Sequence, residues 1–382
     1  MEPHEELLAW AKEQGVRLDG IEPKRIPGRG IGVVAARTIK PDNTVLEVPT
    51  PCLRSIDTVR QSIIRHLPKS ITIHGLLAAD LALDTSSKFA VWNAVCPTPT
   101  DFHSMPLVWP RELQKFLPPS ARDLLAKQEA KLKKDWAMVS AAFPEQLDEE
   151  RYRYAWLLVN TRTFYFLNAK LKRRKNPDDH MCLQPVADLF NHGDAGCSVA
   201  FDNNGFYFKA RQEYKKGDEV KICYGRHSGD FLLVEYGFVM DENKWDEVLL
   251  DEVLLPKLDA KQKEKLEEVG YLGKYVLERE GVCHRTQVAM RLLCCGAREW
   301  KKFVDGADGE RSQKMVDEAI YSLTGDMQRH ADLQIAGITD LRDVDKEQKE
   351  TLIRRWEQIK DVVLSYQEVL EDKISGDIDT SE

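Results

Sequence analysis

Asp188-Leu-Phe-Asn191-His192-Gly-Asp-Ala-Gly-Cys197 is followed along the chain by Gly217-Asp-Glu-Val-Lys-Ile-Cys-Tyr224-Gly225 and then by Tyr236-Gly237-Phe238. The residues between these segments alternate. Cys197, Val199 and Phe201 face one way, Asn203-Asn204-Gly205 turns the chain, and Phe206 and Phe208 continue the period of two. An Asn-Gly pair between alternating runs is a strong hairpin signal. Lys216-Gly217 makes a second turn, and Val220, Ile222 and Tyr224 read as a third strand that ends by delivering a tyrosine hydroxyl. A polar Asn-His pair and two Tyr-Gly corners therefore bracket one small sheet.

Working outward, residues 4–20 read as a short helix with Leu7, Leu8 and Ala11 on one face. Strands are expected at Ile31-Gly-Val-Val-Ala35 and at Val45-Leu-Glu-Val48. From Ser62 to Lys175 the period becomes helical, with Leu76, Leu77, Ala79, Leu81 and Leu83 in one segment and Arg122 to Met138 in another. Lys170-Leu-Lys-Arg-Arg-Lys175 closes this stretch as a polar loop, read as a solvated run before a nuclear-import or substrate patch, and the sheet resumes near Met181. Helix formers dominate after residue 250. In the last helix Leu352, Trp356, Ile359, Val363, Tyr366 and Leu370 form a heptad-like stripe. It lasts under three heptads, so packing within its own domain is preferred to a coiled-coil dimer, and a monomer is expected. The chain beyond Glu371 reads as a frayed acidic tail.

The chain has 382 residues, 42% of them hydrophobic, enough for sizeable cores. No run approaches the roughly 18 apolar residues that span a bilayer, and Met1-Glu-Pro-His-Glu-Glu lacks a signal-peptide pattern. An intracellular protein of cytoplasm and/or nucleus, with no membrane association, is expected. A net charge of -8 argues against direct binding to nucleic acid and suits a basic protein substrate. The 8 cysteines include no Cys-x-x-Cys pair, so free thiols and no metal are expected.

Three smaller signals bear on function. Gly28-Arg-Gly-Ile-Gly32 lacks the last spacing of Gly-x-Gly-x-x-Gly and precedes a strand, so it is no dinucleotide turn, although its glycines permit close approach of a ligand. Arg162 shares a helical face with Ala155 and Val159, and a charge on an apolar stripe needs a partner unless it snorkels to solvent. Asp188, His192 and Asp194 form a metal-hydrolase alternative that explains neither Tyr-Gly segment, and Cys197 near His192 a thiol-nucleophile alternative without an orienting third group.

The Asn-His motif, the Gly-Asp-Glu-x-x-x-x-Tyr-Gly segment and the upstream glycine turn resemble the SET-domain methyltransferases. Leu232-Leu233-x-x-Tyr236-Gly-Phe-Val239 and Pro106-Leu-Val-Trp109 resemble the branch typified by the Rubisco large-subunit lysine methyltransferase. This resemblance implies an α+β fold: a SET-domain β-fold with a pseudoknot, interrupted by a helical insert and followed by an all-α C-terminal domain. The boundaries expected are 1–61 for the N-terminal helix and first SET half, 62–180 for the insert, and 181–250 for the second SET half. Residues 251–372 would form the helical substrate-binding domain and 373–382 a disordered tail.

The family's activity is transfer of a methyl group from S-adenosylmethionine to a protein side chain. The resemblance implies catalytic roles for Tyr224 and, as a pocket wall, Tyr236. It places Arg29, Gly30, Ile31, Arg162, Asp188, Asn191, His192 and Tyr236 at the cofactor. Chemically, a lysine of pKa about 10.4 must lose its proton before it attacks. Tyrosine hydroxyls, uncharged at neutral pH and able to donate or accept, suit that setting. Tyr236-Gly-Phe resembles the lysine-directed members, so a protein-lysine N-methyltransferase acting on a non-histone protein, possibly of the translation machinery, is expected. A protein-histidine methyltransferase of the same fold and an inactive SET-like binding module are the alternatives. The sequence departs from the family at Gly193-Asp-Ala-Gly and at Arg29, where the plant branch carries an acid.

Overall fold

The computed structural model describes residues 2–168, 171–173 and 179–376. The chain divides into two compact units: unit 1 holds residues 1–103 and 126–226, and unit 2 holds 104–125 and 227–382.

Unit 1 begins with helix α1 (Pro3–Glu13), which buries Leu7 and Ala11 while Leu8 stays half-exposed. It is shorter than the 4–20 expected from sequence. Gly15, at φ +90°, takes a conformation a helix cannot continue through, and strand β1 (Arg17–Leu18) follows. Strands β2 (Ile21–Ile26) and β3 (Gly30–Ala35) pair antiparallel from Ile21 opposite Ala35 to Ile26 opposite Gly30. Strand β4 (Thr44–Pro49) then enters a second sheet. Helices α2 (Gln61–His66), α3 (Ile73–Ala82) and α4 (Ala90–Asn93) follow, and in chain order α5 (Arg111–Gln114), α6 (Pro119–Ala142) and α7 (Glu149–Arg162). The helical stretch ends at Arg162 and not at residue 180, because β5 (Thr163–Tyr165) already pairs with β6 (Met181–Leu183). Residues 104–125 of the expected insert belong to unit 2. Of the polar loop, residues 169, 170 and 174–178 lie outside the described residues.

The quoted segments build the remaining core. Strands β7 (His192–Phe201) and β8 (Gly205–Lys209) pair with Phe201 opposite Phe206, in a four-stranded sheet ordered β1-β4-β8-β7. The Asp202 carboxylate accepts from the amides of Asn204, at 2.7 Å, and Gly205, at 3.2 Å, so the turn is an Asx turn. Gly205 cannot be replaced cheaply: a Cβ there would meet the Val48 carbonyl oxygen at 2.2 Å. Phe206 and Phe208 are buried as the alternation requires, and Phe208 stacks on Phe190 at 5.5 Å. Val199 is not buried, although it lies opposite Phe208; β7 is the edge strand of its sheet. Segment 219–222 does not extend the hairpin as a third strand. It bridges singly to β3, Val34 with Glu219, and to β7, His192 and Cys197 with Ile222.

Unit 2 is mostly helical: α8 (Gly229–Tyr236), α9 (Asp251–Leu254), α10 (Ala260–Glu268), α11 (His284–Cys294), α12 (Ala297–Val304), α13 (Glu310–Asp340) and α14 (Lys346–Gly376). It is not all-α, since β9 (Val248–Leu249), β10 (Val276–Glu278) and β11 (Gly281–Val282) form a small antiparallel sheet. The apolar stripe of α14 lies wholly in this unit's core, with Leu352 and Leu370 fully buried, and Trp356 Nε1 donates to the Phe116 carbonyl at 2.8 Å. The helix continues through Gly376 where a frayed tail was expected from Glu371, and residues 377–382 lie outside the described residues.

Candidate active site

Three structural devices in unit 1 bring the candidate residues together. The first is the β2–β3 turn, where Gly28 and Gly30 take φ of +72° and +73°, a region glycine enters without cost. Gly32 is constrained by space instead. A Cβ there would stand 2.9 Å from Asn191 Nδ2, so the glycine lets the Asn191 amide lie against β3. That amide donates to Glu219 Oε1 at 2.8 Å, while Arg29 Nη1 pairs with Glu219 Oε2 at 2.9 Å and Lys221 Nζ lies at 3.5 Å. Gly30 and Ile31 open strand β3 beside this corner, with Ile31 opposite Arg25.

The second device is a single 3-10 turn, Ala187–Leu189, entered through Val186 at φ +69°. A β-branched residue in that region costs on the order of 1–3 kcal/mol and persists only where packing imposes it; Val186 is completely buried. The turn buries Asp188, whose Oδ2 accepts from Trp92 Nε1 at 2.8 Å. Arg162 arrives as the last residue of α7, a helix capped at its start by the Asp148 side chain. The guanidinium points inward, with Nη1 donating to the Asp188 carbonyl. Two polar atoms here are buried without a partner, Arg162 Nε and Asp188 Oδ1. Burial pushes the Asp188 carboxyl above its usual range, against the opposing pull of Arg162 and the Trp92 bond.

The third device is the pairing of 220–224 with the Asn-His segment. The Ile222 amide donates to the Asn191 carbonyl at 3.0 Å and the Cys197 amide to the Lys221 carbonyl at 2.7 Å. A Cβ on Gly196 would sit 2.4 Å from that same carbonyl oxygen, so the close passage needs glycine. Tyr224 is thereby pinned at both ends. Its amide donates to His192 Nδ1 at 3.0 Å, and its hydroxyl donates to the Phe190 carbonyl at 2.6 Å. Because Nδ1 accepts, the ring proton of His192 sits on Nε2. Burial pushes the Tyr224 phenol up to about 12, with Arg162 pulling the other way. The hydroxyl stays protonated, and its hydrogen is committed to Phe190.

Tyr236 belongs to unit 2. It ends α8, where Gly237 closes the helix in the left-handed region at φ +79°, and its ring lies 6.2 Å from that of Phe238 and 6.4 Å from those of His227 and Phe231.

Asp188, His192 and Asp194 do not converge as a metal-hydrolase site would require. Among the described residues no three His, Cys, Asp or Glu side chains are placed to hold a metal ion. The Cys197 thiol is buried and pushed up to about 11 by that burial, which makes it a poor nucleophile. Two residues of this site were not singled out by the sequence. Trp92 sits in the helical stretch, 96 positions from the carboxylate it bonds. Glu219 lies within the quoted Gly-Asp-Glu segment, and only the folded chain shows Arg29, Asn191 and Lys221 gathered on it.

Comparison with known proteins places this geometry in context. A model described as the SET domain matches residues 30–225, and one described as the ribosomal lysine N-methyltransferase 2 C-terminal domain matches 246–370. The chain is 24% identical over 357 residues to ribosomal lysine N-methyltransferase set11 of Schizosaccharomyces pombe, covering 88% of this chain and 91% of that protein. It is 25% identical over 330 residues to human SET domain-containing protein 4, covering 79% and 75%. Among solved structures, the SET domain of LSMT bound to lysine and AdoHcy aligns over 97% of this chain and 91% of that one, with TM-score 0.64 and 16% identity.

Proposed function

The chain belongs to the SET-domain family, and we propose that it methylates a lysine side chain of a ribosomal or other translation-machinery protein, using Tyr224 at the reacting centre. The observation that carries the assignment of the site is the state of unit 1's polar interior. Arg162 Nε is a buried donor with no acceptor and Asp188 Oδ1 a buried acceptor with no donor, a combination that fits an amino-acid zwitterion. S-adenosylmethionine ends in such a group, and the residues present fit it. Arg162 would meet its carboxylate, and Asn191 with the main chain of His192 its amino and adenine portions. The turn of Arg29, Gly30 and Ile31 lets main chain approach it, and Asp188 would hold Arg162 through its main-chain carbonyl and offer Oδ1 to the ammonium end. When bound, S-adenosylmethionine supplies an electrophilic methyl on a sulfonium, so neither a metal nor a covalent enzyme intermediate is required.

The chain's own part is positioning and electrostatics. The Tyr224 hydroxyl cannot act as a base at neutral pH, because its proton is held well above that range and is bonded to Phe190. It serves as an acceptor that orients the incoming amine, and its ring excludes water. Burial around Tyr224 also disfavours a charged ammonium, which promotes the neutral nucleophile. For Tyr236, carried on unit 2, the assigned role rests on the family pattern alone.

Support for the substrate comes from names borne by relatives, the ribosomal lysine N-methyltransferases, and from the net charge of -8, which favours encounter with a basic protein. The test is transfer of radiolabelled methyl from S-adenosylmethionine into purified ribosomal proteins and translation factors, with the modified residue mapped by mass spectrometry. Label on lysine is the expected result. Label on histidine would overturn the lysine reading, and cofactor binding without transfer to any ribosomal protein or translation factor would overturn the substrate class.

A further inference from the structure

We infer that Glu219 is a positioning residue that fixes the orientation of the Asn191 amide and so turns Asn191 Oδ1 into a ready-made acceptor for the ammonium end of an amino-acid ligand. This rests on the cofactor reading above.

An asparagine amide presents two donors on one side and an acceptor on the other. Asn191 Nδ2 stands 2.8 Å from Glu219 Oε1. Rotating the amide by half a turn would press its oxygen against a carboxylate oxygen at that same distance, two acceptors with no proton between them. Only one orientation is therefore stable, and it points Oδ1 away from Glu219. The carboxylate making this choice is itself fixed. Arg29 bonds its second oxygen at 2.9 Å, Lys221 lies at 3.5 Å, and its backbone bridges to Val34 of β3. Gly32 leaves the room the amide needs. The Glu219 side chain is 18% exposed, so its hydrogen bonds are only weakly challenged by water. Glu219 consequently does to Asn191 what a carboxylate behind a metal-ligating histidine does, setting which atom faces the ligand.

The test titrates S-adenosylhomocysteine into full-length wild type, Glu219→Gln, Glu219→Asp, Glu219→Ala, Asn191→Ala and the double alanine variant, with melting temperatures alongside. Glu219→Ala is expected to weaken binding about 10-fold, the scale of one charge-assisted hydrogen bond. Glu219→Gln keeps one acceptor for two donors, Asn191 and Arg29, and can turn its own NH2 toward Asn191, so it should weaken binding about as much as Glu219→Ala. Glu219→Asp keeps the charge and both acceptors at shorter reach, and should bind at least as tightly as Glu219→Gln. Because Glu219 acts through Asn191, the double variant should bind no more weakly than Asn191→Ala alone. In turnover, Glu219→Ala should raise KM for S-adenosylmethionine and leave kcat nearly unchanged. The inference is overturned if Glu219→Ala binds like wild type, if Glu219→Gln binds like wild type, or if the two alanine effects multiply. Absence of binding by the wild type would instead remove the cofactor reading itself.

Discussion

Arg355 in unit 2 and Arg162 in unit 1 both turn inward, and the two are treated differently. In unit 2, Arg355 is completely buried, with Nε bonded to Asp230 at 2.6 Å and Nη1 to Asp246 at 2.6 Å. Asp246 also accepts from the Gly229 amide at 2.8 Å. Burial works against the charge, yet the two carboxylates hold the arginine's pKa above its usual value. In unit 1, Arg162 receives one main-chain carbonyl and keeps Nε buried and unmet, beside a buried carboxylate oxygen that is also unmet. Arg355 retains one unmet nitrogen of its own, Nη2, but its charge is answered by two carboxylates. An unmet nitrogen alone does not mark a site, since Arg291 of unit 2 is completely buried with Nε unmet and bonds to Gln287 and Gln313. What sets Arg162 apart is that its unmet donor occurs together with the unmet carboxylate oxygen of Asp188.

The largest way to break this contrast is at Arg355. Arg355→Met leaves Asp230 and Asp246 buried without their cation, and urea denaturation should show a loss of about 3–5 kcal/mol. A loss under about 1 kcal/mol would mean that the triad is not structural. On the unit 1 side, Tyr224→Phe should lower methyl transfer about 100-fold, the usual scale for removing one preorganised polar group, while the melting temperature moves little. Unchanged transfer would remove Tyr224 from the chemistry. Gly229→Ala sharpens the unit 2 side: its Cβ would fall 2.5 Å from Arg355 Nη1, and overpacking of that kind costs about 1–3 kcal/mol. An unchanged urea midpoint would show that the triad yields freely.

The smallest effect is in pH. Tyr224 has a folded pKa of about 12 against an unfolded value of 10.0. Its contribution to stability is therefore fully present below pH 10 and is lost as pH rises through about 12. Denaturation of wild type and Tyr224→Phe across that window should show a steeper decline in the wild type. Parallel curves would contradict the buried, protonated phenol.

Much of this was legible in the sequence because it depends on local pattern. The hairpin follows from alternation around Asn-Gly, the α14 stripe from heptad-like spacing, and the inward turn of Arg162 from its place on an apolar face. The helix boundary at Glu13 was missed because a glycine with positive φ stops a helix whose apolar pattern runs on. The small sheet of unit 2 escaped because its strands are two or three residues long, too short to show a period. Alternation places Val199 on the face of Phe208 but does not tell that its strand lies at the sheet edge, where the side chain is exposed. Trp92 and Glu219 were not singled out for a different reason: each acts by contacts with residues distant in sequence, Asp188 for Trp92 and Arg29 and Asn191 for Glu219, and no local spacing encodes such contacts.

The most direct test of the contrast is calorimetric titration of S-adenosylhomocysteine into wild type and Arg162→Met, with urea denaturation of both. Wild type should bind, and Arg162→Met should lose at least about 10-fold in affinity while its stability stays within about 1 kcal/mol or rises, because a poorly satisfied buried charge has been removed. Equal binding by the two proteins, or a stability loss as large as that of Arg355→Met, would contradict the account.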